Sequence, residues 1–253
     1  MSELAYDSVG SGPALVLVPG TNSTARDTWG PTVEALAASH TVIMPDLPGT
    51  GSSPLTDGPL DPESVAWQLA DVAVRAGHDR FAIAGASLGA PLALLTAARF
   101  PDRVTHVTTV CGYASARPSL RLRLDLWERI LDAGPEAVGR LLLILGMPDA
   151  TAAELPPETL NRMIIALGAR RERGVRRQIE LARTIDVEAD LGTIRVPALV
   201  IGGGQDQFVA PAHSRVVADR LRTARLLMLD GSHGLAHEQP DAISAAVGEL
   251  ARV

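Results

Sequence analysis

The sequence predicts an α/β protein, a mostly parallel, doubly wound sheet of about seven or eight strands with a block of helices inserted between two of them. Three observations carry that prediction. Short apolar runs alternate with amphipathic stretches through residues 1–112 and again through 191–253, the pattern of a sheet covered by helices on both faces. Residues 113–190 break the alternation with helical spacing and no convincing strand. The chain has 253 residues, 46% of them hydrophobic, enough to bury one substantial core. Residues 1–112 and 191–253 are therefore assigned to one core domain, and 113–190 to a helical cap inserted in it.

In order along the chain, a weak first strand lies near Leu4 to Val9, and the apolar runs Ala14 to Val18 and Thr41 to Met44 are short enough to be buried strands. A helix is expected between them over Trp29 to Ser39, and another over Asp61 to Ala76, where Pro62 suits a first helical position. Strands follow at Phe81 to Ala84 and Val104 to Val110, separated by a buried helix over Leu88 to Arg99. Within the insertion, Leu120, Leu124, Trp127 and Leu131 form one apolar row, and Leu122, Leu126 and Ile130 a second, which predicts contact on two sides. Pro135, Pro148 and Pro156-Pro157 divide this segment into about four helices. The core resumes with strands at Ala198 to Ile201 and Arg225 to Leu229 and helices at Ala212 to Leu221 and Asp241 to Leu250, the last opened by Pro240.

Composition excludes several functions. The net charge of −6 argues against a general nucleic-acid binder. All 23 basic residues are arginine, so lysine Schiff-base chemistry and a phosphate-loop lysine are absent. No run of eighteen apolar residues suggests a membrane span, and the first residues lack signal-peptide features, so the chain reads as cytoplasmic. Cys111 is the only cysteine, more simply a small buried core residue at a strand end than a reactive thiol. No His/Asp/Glu cluster has metal-ligand spacing, and no cofactor is expected.

The run Phe81-Ala-Ile-Ala-Gly-Ala-Ser-Leu-Gly-Ala90 places Ser87 where a strand gives way to a helix, with Gly85 and Gly89 at minus two and plus two. This is G-x-S-x-G, a turn that exposes a hydroxyl beside helix N-terminal N–H groups. By itself it also fits a glycine-flanked helix cap. A serine hydroxyl needs a histidine base and an orienting carboxylate to act as a nucleophile. Both follow: the strand Val196-Pro-Ala-Leu-Val-Ile runs into Gly202-Gly-Gly-Gln-Asp206, and Leu226-Leu-Met-Leu runs into Asp230-Gly-Ser-His233. In a parallel sheet the strand C-termini share one edge, so Ser87, Asp206 and His233 converge. His237, four residues beyond His233, is a rival base; His40, His78, His106 and His213 lie outside any motif. Asp46 suits a turn with Gly49 and Gly51.

In this order of nucleophile, acid and histidine, the chain resembles the α/β-hydrolase family. The resemblance rests on Leu17-Val-Pro-Gly-Thr21, Pro45-Asp-Leu-Pro-Gly-Thr-Gly-Ser52, the serine turn, Gly202-Gly-Gly-Gln-Asp206, and Ser232-His233 followed by Glu238-Gln-Pro-Asp241, and spans nearly all of the chain. It implies Ser87 as nucleophile, His233 as general base then acid, Asp206 as orienting carboxylate, and an oxyanion hole of the Thr21 and Leu88 backbone N–H groups. The family commonly has His-Gly where this chain has Pro19-Gly20; a backbone donor survives that replacement. The expected reaction is acyl transfer to Ser87 and then water, on a small to medium, largely apolar ester, lactone or thioester. A lyase, perhydrolase or cyclase on the same residues is an alternative, as is a non-catalytic ligand-binding protein. Trp127, Leu124 and Met147 of the insertion are expected to line the substrate site. A small molecule is the expected partner, not nucleic acid or membrane, with the chain a monomer or homodimer. Arg170-Arg-Glu-Arg-Gly-Val-Arg-Arg177 reads as a solvated helix face or as a docking surface for an anionic substrate tail or an acidic carrier protein.

Overall fold

A computed structural model of the chain describes residues 2–55, 57–170 and 172–250. Its seven strands are β1 (Tyr6–Val9), β2 (Ala14–Val18), β3 (Thr41–Pro45), β4 (Phe81–Ala86), β5 (Val104–Val110), β6 (Ala198–Gly203) and β7 (Ala224–Leu229), in the spatial order β1-β3-β2-β4-β5-β6-β7. Only β1 runs antiparallel, against β3. The all-apolar sequence of β2 follows from this arrangement. Successive side chains of a strand point to opposite faces, so Leu15 and Leu17 enter one core while Val16 and Val18 enter the other. Each such fully buried side chain contributes roughly 2 kcal/mol of hydrophobic stabilisation.

The helices between the N-terminal strands are α1 (Ala25–Trp29), α2 (Thr32–Ala37), α3 (Pro62–Arg75) and α4 (Gly89–Arg99). The continuous helix expected over Trp29 to Ser39 is instead two, because Gly30 takes φ +47° and Pro31 follows it. Thr24 caps α1 by accepting from the Asp27 N–H, and Asp61 caps α3 by accepting from the Ser64 N–H, with Pro62 in the first turn as the sequence predicts.

Between β5 and β6 lie α5 (Pro118–Ile130), α6 (Pro135–Gly146), α7 (Asp149–Glu154), α8 (Pro157–Ala169) and α9 (Val175–Thr184), one helix more than the prolines suggested. The additional break falls before Gly174, whose backbone lies too close to Pro48 and Gly49 to admit a side chain. Helix α5 buries Leu120, Leu124 and Trp127, as the first apolar row requires, and Ile130 is partly buried. Leu122 and Leu126 of the second row are exposed, at 69% and 47%, so the expectation of contact on both sides of this helix is corrected. Helices α10 (Ala212–Arg220), α11 (Leu235–Glu238) and α12 (Pro240–Leu250) complete the chain. Among the described residues no helix is long and apolar enough to cross a membrane.

The strand order reverses at β2, which has β3 on one side and β4 on the other. Such a switch opens a crevice at the strand C-termini. The loops after β2, β4, β6 and β7 carry Thr21, Ser87, Asp206 and His233 to that edge.

Candidate active site

Ser87 sits at the end of β4 with φ +53°, a left-handed backbone that a non-glycine residue adopts at a cost of roughly 1–3 kcal/mol. The surroundings enforce the turn: a Cβ on Gly85 would stand 2.0 Å from the Gly89 carbonyl oxygen, and one on Gly89 2.5 Å from that of Val18. The Ser87 N–H donates to the Val110 carbonyl at 3.0 Å, tying the turn to the next strand. Strand, turn and helix α4 therefore approach within backbone contact, and only glycine fits on either side of the serine.

Ser87 Oγ lies 3.1 Å from His233 Nε2, and His233 Nδ1 lies 2.8 Å from Asp206 Oδ2. The carboxylate fixes the tautomer: Nδ1–H donates to Asp206, which leaves Nε2 with a lone pair for the serine hydroxyl. The other Asp206 oxygen accepts from the Phe208 and Val209 N–H groups, both at 2.8 Å, and the side chain is 1% exposed against 20% for His233. A carboxylate so held is a rigid, water-free support for the imidazole. Phe208 packs edge-on against the His233 ring at 4.9 Å and against Trp127 at 5.8 Å. Sequence reasoning missed Phe208, whose only signal is its position two residues past Asp206. Glu238 holds the histidine loop by accepting from the Ser232 N–H and hydroxyl, and Gln239 donates to the Asp230 carbonyl at 2.7 Å.

The loop after β2 presents an unpaired backbone N–H between two paired ones. The Gly20 N–H donates to Thr28 Oγ1 at 3.2 Å and the Asn22 N–H to Gln178 Oε1 at 2.8 Å, whereas the Thr21 N–H between them has no partner among the described residues. The Leu88 N–H, at the start of α4, is likewise unpaired. Gly20 lies against Ser87, 3.3 Å from a Cβ placed on Gly20 to the serine Cβ, so this loop sits directly beside the hydroxyl.

Ser87 and His233 open into a cavity of about 840 Å³. Trp127 and Met147 line it together with Leu142, Leu145, Met163 and Leu167 of α6 and α8, giving it an apolar wall. Leu124 does not line it: one turn before Trp127, it is buried in the core cluster with Leu120, so its expected place in the substrate site is corrected. His237 also lines the cavity, with its Nε2 donating to the Asp27 carbonyl at 2.7 Å. His213 is buried, with Nδ1 at 3.0 Å from the Ala210 carbonyl, and burial holds its pKa below the usual histidine value. Asp46 lies in the turn formed with Gly49 and Gly51, both at positive φ, and burial raises its pKa. In the arginine-rich stretch Arg176 pairs with Asp132, Arg173 donates to the Ser53 carbonyl, and Arg170 lines the cavity, while Arg171 lies outside the described residues.

Cys111 follows β5 at φ +47° and also borders the cavity. Its sulfur, an Asp206 oxygen and a His233 nitrogen lie within 4.8 Å of one another, a grouping that sequence spacing could not reveal. Burial first, then the Asp206 charge, push the thiol pKa well above its usual value. The histidine and carboxylate of the trio are already bonded to each other.

A family model described as the alpha/beta hydrolase fold matches residues 13–240. Pyrrolizixenacetamide deacetylase of Xenorhabdus hominickii is 29% identical over 243 residues, covering 95% of this chain and 91% of that protein. The proposed carbamate hydrolase RutD of Azorhizobium caulinodans is 32% identical over 246 residues, again covering 95% and 91%. Among solved structures, the enol-lactonase of Burkholderia xenovorans LB400 superposes with a TM-score of 0.87 at 26% identity, covering 100% of this chain and 97% of that one.

Proposed function

The chain belongs to the α/β-hydrolase fold family, and from that premise we propose that it is a serine hydrolase acting on a small to medium, largely apolar ester, lactone or thioester through an acyl-Ser87 intermediate. The observation that carries this reading is the continuous hydrogen-bonded line Asp206, His233, Ser87, at 2.8 and 3.1 Å, ending in the apolar cavity. His233 Nε2 takes the serine proton as Oγ attacks the substrate carbonyl. The negative charge that develops on the carbonyl oxygen is met by the Thr21 and Leu88 N–H groups, a kind of donor whose loss costs about 100- to 1000-fold in rate. His233 then passes its proton to the leaving group, and a water activated by the same nitrogen hydrolyses the acyl-serine. Asp206 keeps the imidazole in the required tautomer and stabilises its charged form.

The relatives named for deacetylation, carbamate hydrolysis and enol-lactone opening all act, by name, on acyl carbon attached to nitrogen or oxygen. They support acyl transfer and extend the candidate bonds to amide and carbamate. The test is turnover of a p-nitrophenyl ester series together with labelling by a fluorophosphonate. Both are expected in the parent protein, and both fall by about 1000-fold or more in Ser87→Ala with the fold retained. Full turnover in Ser87→Ala combined with its loss in His233→Ala would overturn the acyl-serine reading.

A further inference from the structure

The loop that presents Thr21 is held from the insertion as well as from the core. Gln178, in α9, has no exposed surface. Its Oε1 accepts from the Asn22 N–H at 2.8 Å, and its Nε2 donates to Thr50 Oγ1 at 2.6 Å and to the Pro48 carbonyl at 3.1 Å. One side chain thus joins the loops after β2 and β3 to the insertion. Asn22 returns the connection: its Nδ2 donates to the Arg170 carbonyl at 2.7 Å, and its Oδ1 accepts from the Glu172 N–H at 2.9 Å. It does so from φ +60°, a conformation that asparagine tolerates better than most side chains.

The consequence for the serine site follows from peptide geometry. The Thr21 N–H belongs to the peptide between Gly20 and Thr21. The peptide before it is fixed by the Gly20 N–H on Thr28 Oγ1, and the peptide after it by the Asn22 N–H on Gln178. With planar peptides and two soft dihedrals per residue, fixing both neighbours leaves little freedom to the one between. Of the two anchors, Thr28 belongs to α1 and Gln178 to the insertion, about 150 residues downstream. We propose that Gln178 is a positioning residue for the oxyanion hole, aiming the Thr21 N–H through the Asn22 backbone, so that the hole is complete only while α9 is docked on the loops after β2 and β3. The inference rests on the acyl-serine reading above. It assigns to the insertion a role in transition-state stabilisation in addition to its wall of the cavity.

The test separates transition-state from ground-state effects in Gln178→Leu, which fills the same space but cannot accept from Asn22. An alkyl boronic acid, which forms a tetrahedral adduct on an active serine, probes the first; an n-alkanol of the same length probes the second. The expected result is a loss of about 10- to 100-fold in kcat and in boronate affinity, less than deleting a donor outright, with KM and alkanol affinity changed by less than about threefold. Gln178→Glu, kept protonated by burial, retains the acceptor for the Asn22 N–H and one donor for Thr50 Oγ1 or the Pro48 carbonyl, and recovers kcat to within about fivefold of the parent. A merely structural role would lower thermal stability and both affinities together. Parent-like kcat in Gln178→Leu, equal losses with both probes, or a Glu variant no better than the Leu variant would overturn the proposal. Should Gln178→Leu not fold, Thr50→Val, which removes one partner of Gln178, decides: a loss of kcat and boronate binding of about threefold with unchanged alkanol binding supports it, and unchanged kcat overturns it. Ser87→Ala assayed alongside keeps the two readings apart. Turnover retained there overturns the acyl-serine reading, whereas turnover lost there with undiminished kcat in Gln178→Leu overturns the positioning role alone.

Discussion

At Asp206 two demands meet in one side chain. One oxygen accepts the two backbone N–H groups that shape its own loop, and the other faces His233 Nδ1. The substitution Asp206→Asn separates them. Its amide oxygen can keep the loop, but its amide nitrogen would face Nδ1 as a donor and select the tautomer with the proton on Nε2, which cannot accept from Ser87. We expect kcat to fall on the order of 1000- to 10000-fold, with a thermal midpoint close to that of the parent and a slow fluorophosphonate reaction. If kcat falls less than about tenfold, the tautomer argument fails. Cys111 shows the opposite case, a titratable group beside the site that burial keeps neutral. His237, suggested by sequence as a rival base, has its Nε2 bonded to the Asp27 carbonyl of α1, whereas His233 Nε2 lies against Ser87 Oγ.

At the scale of elements, the apolar wall of the cavity depends on a helix pair that touches through glycine. A Cβ on Gly139 would lie 2.0 Å from the Ile164 carbonyl oxygen, and one on Gly168 1.9 Å from that of Pro135. Helices α6 and α8 therefore cannot keep their spacing if either glycine gains a side chain, although both lie in sequences with good helix propensity. Gly168→Ala is expected to destabilise the protein by roughly 1–3 kcal/mol and to lower its thermal midpoint by several degrees. Because Leu142, Met163 and Leu167 come from the same pair, KM for long-chain p-nitrophenyl esters should change more than KM for the acetyl ester. A Gly168→Ala protein with parent stability and parent chain-length profile would show that the pair is not under this constraint. Elsewhere the element boundaries were legible: β2 and β5 coincide with the strands expected at Ala14 to Val18 and Val104 to Val110. The run through α1 and α2 was not, because apolar spacing continues across Gly30 and Pro31 while the backbone turns.

For the molecule as a whole, two buried histidines link the fold to pH. Burial lowers the pKa of His106 and of His213, so both are neutral in the folded chain where an unfolded chain would take up protons below the ordinary histidine value. The unfolded state then binds more protons, and stability is complete above about pH 6.5 and declines as the pH falls from there toward the depressed folded values. Urea midpoints are expected to be lower at pH 5.5 than at pH 7.5, with a smaller difference in His213→Gln; a midpoint independent of pH over that interval would contradict the assignment. The sequence by itself determined the parallel architecture, the run of helices between β5 and β6, and the serine, acid and histidine at three strand ends. Hydrophobic period and turn chemistry are local properties, and a parallel sheet gathers its strand C-termini at one edge whatever the details. Only the tertiary structure decided that Leu122 and Leu126 face outward, that Leu124 packs in the core, and that Phe208 supports the His233 ring. The hydrogen bond between Asn22 and Gln178 belongs to the same class, spanning 156 positions. Such contacts depend on where one element lands on another, and no period or motif in either segment encodes the orientation of its distant partner.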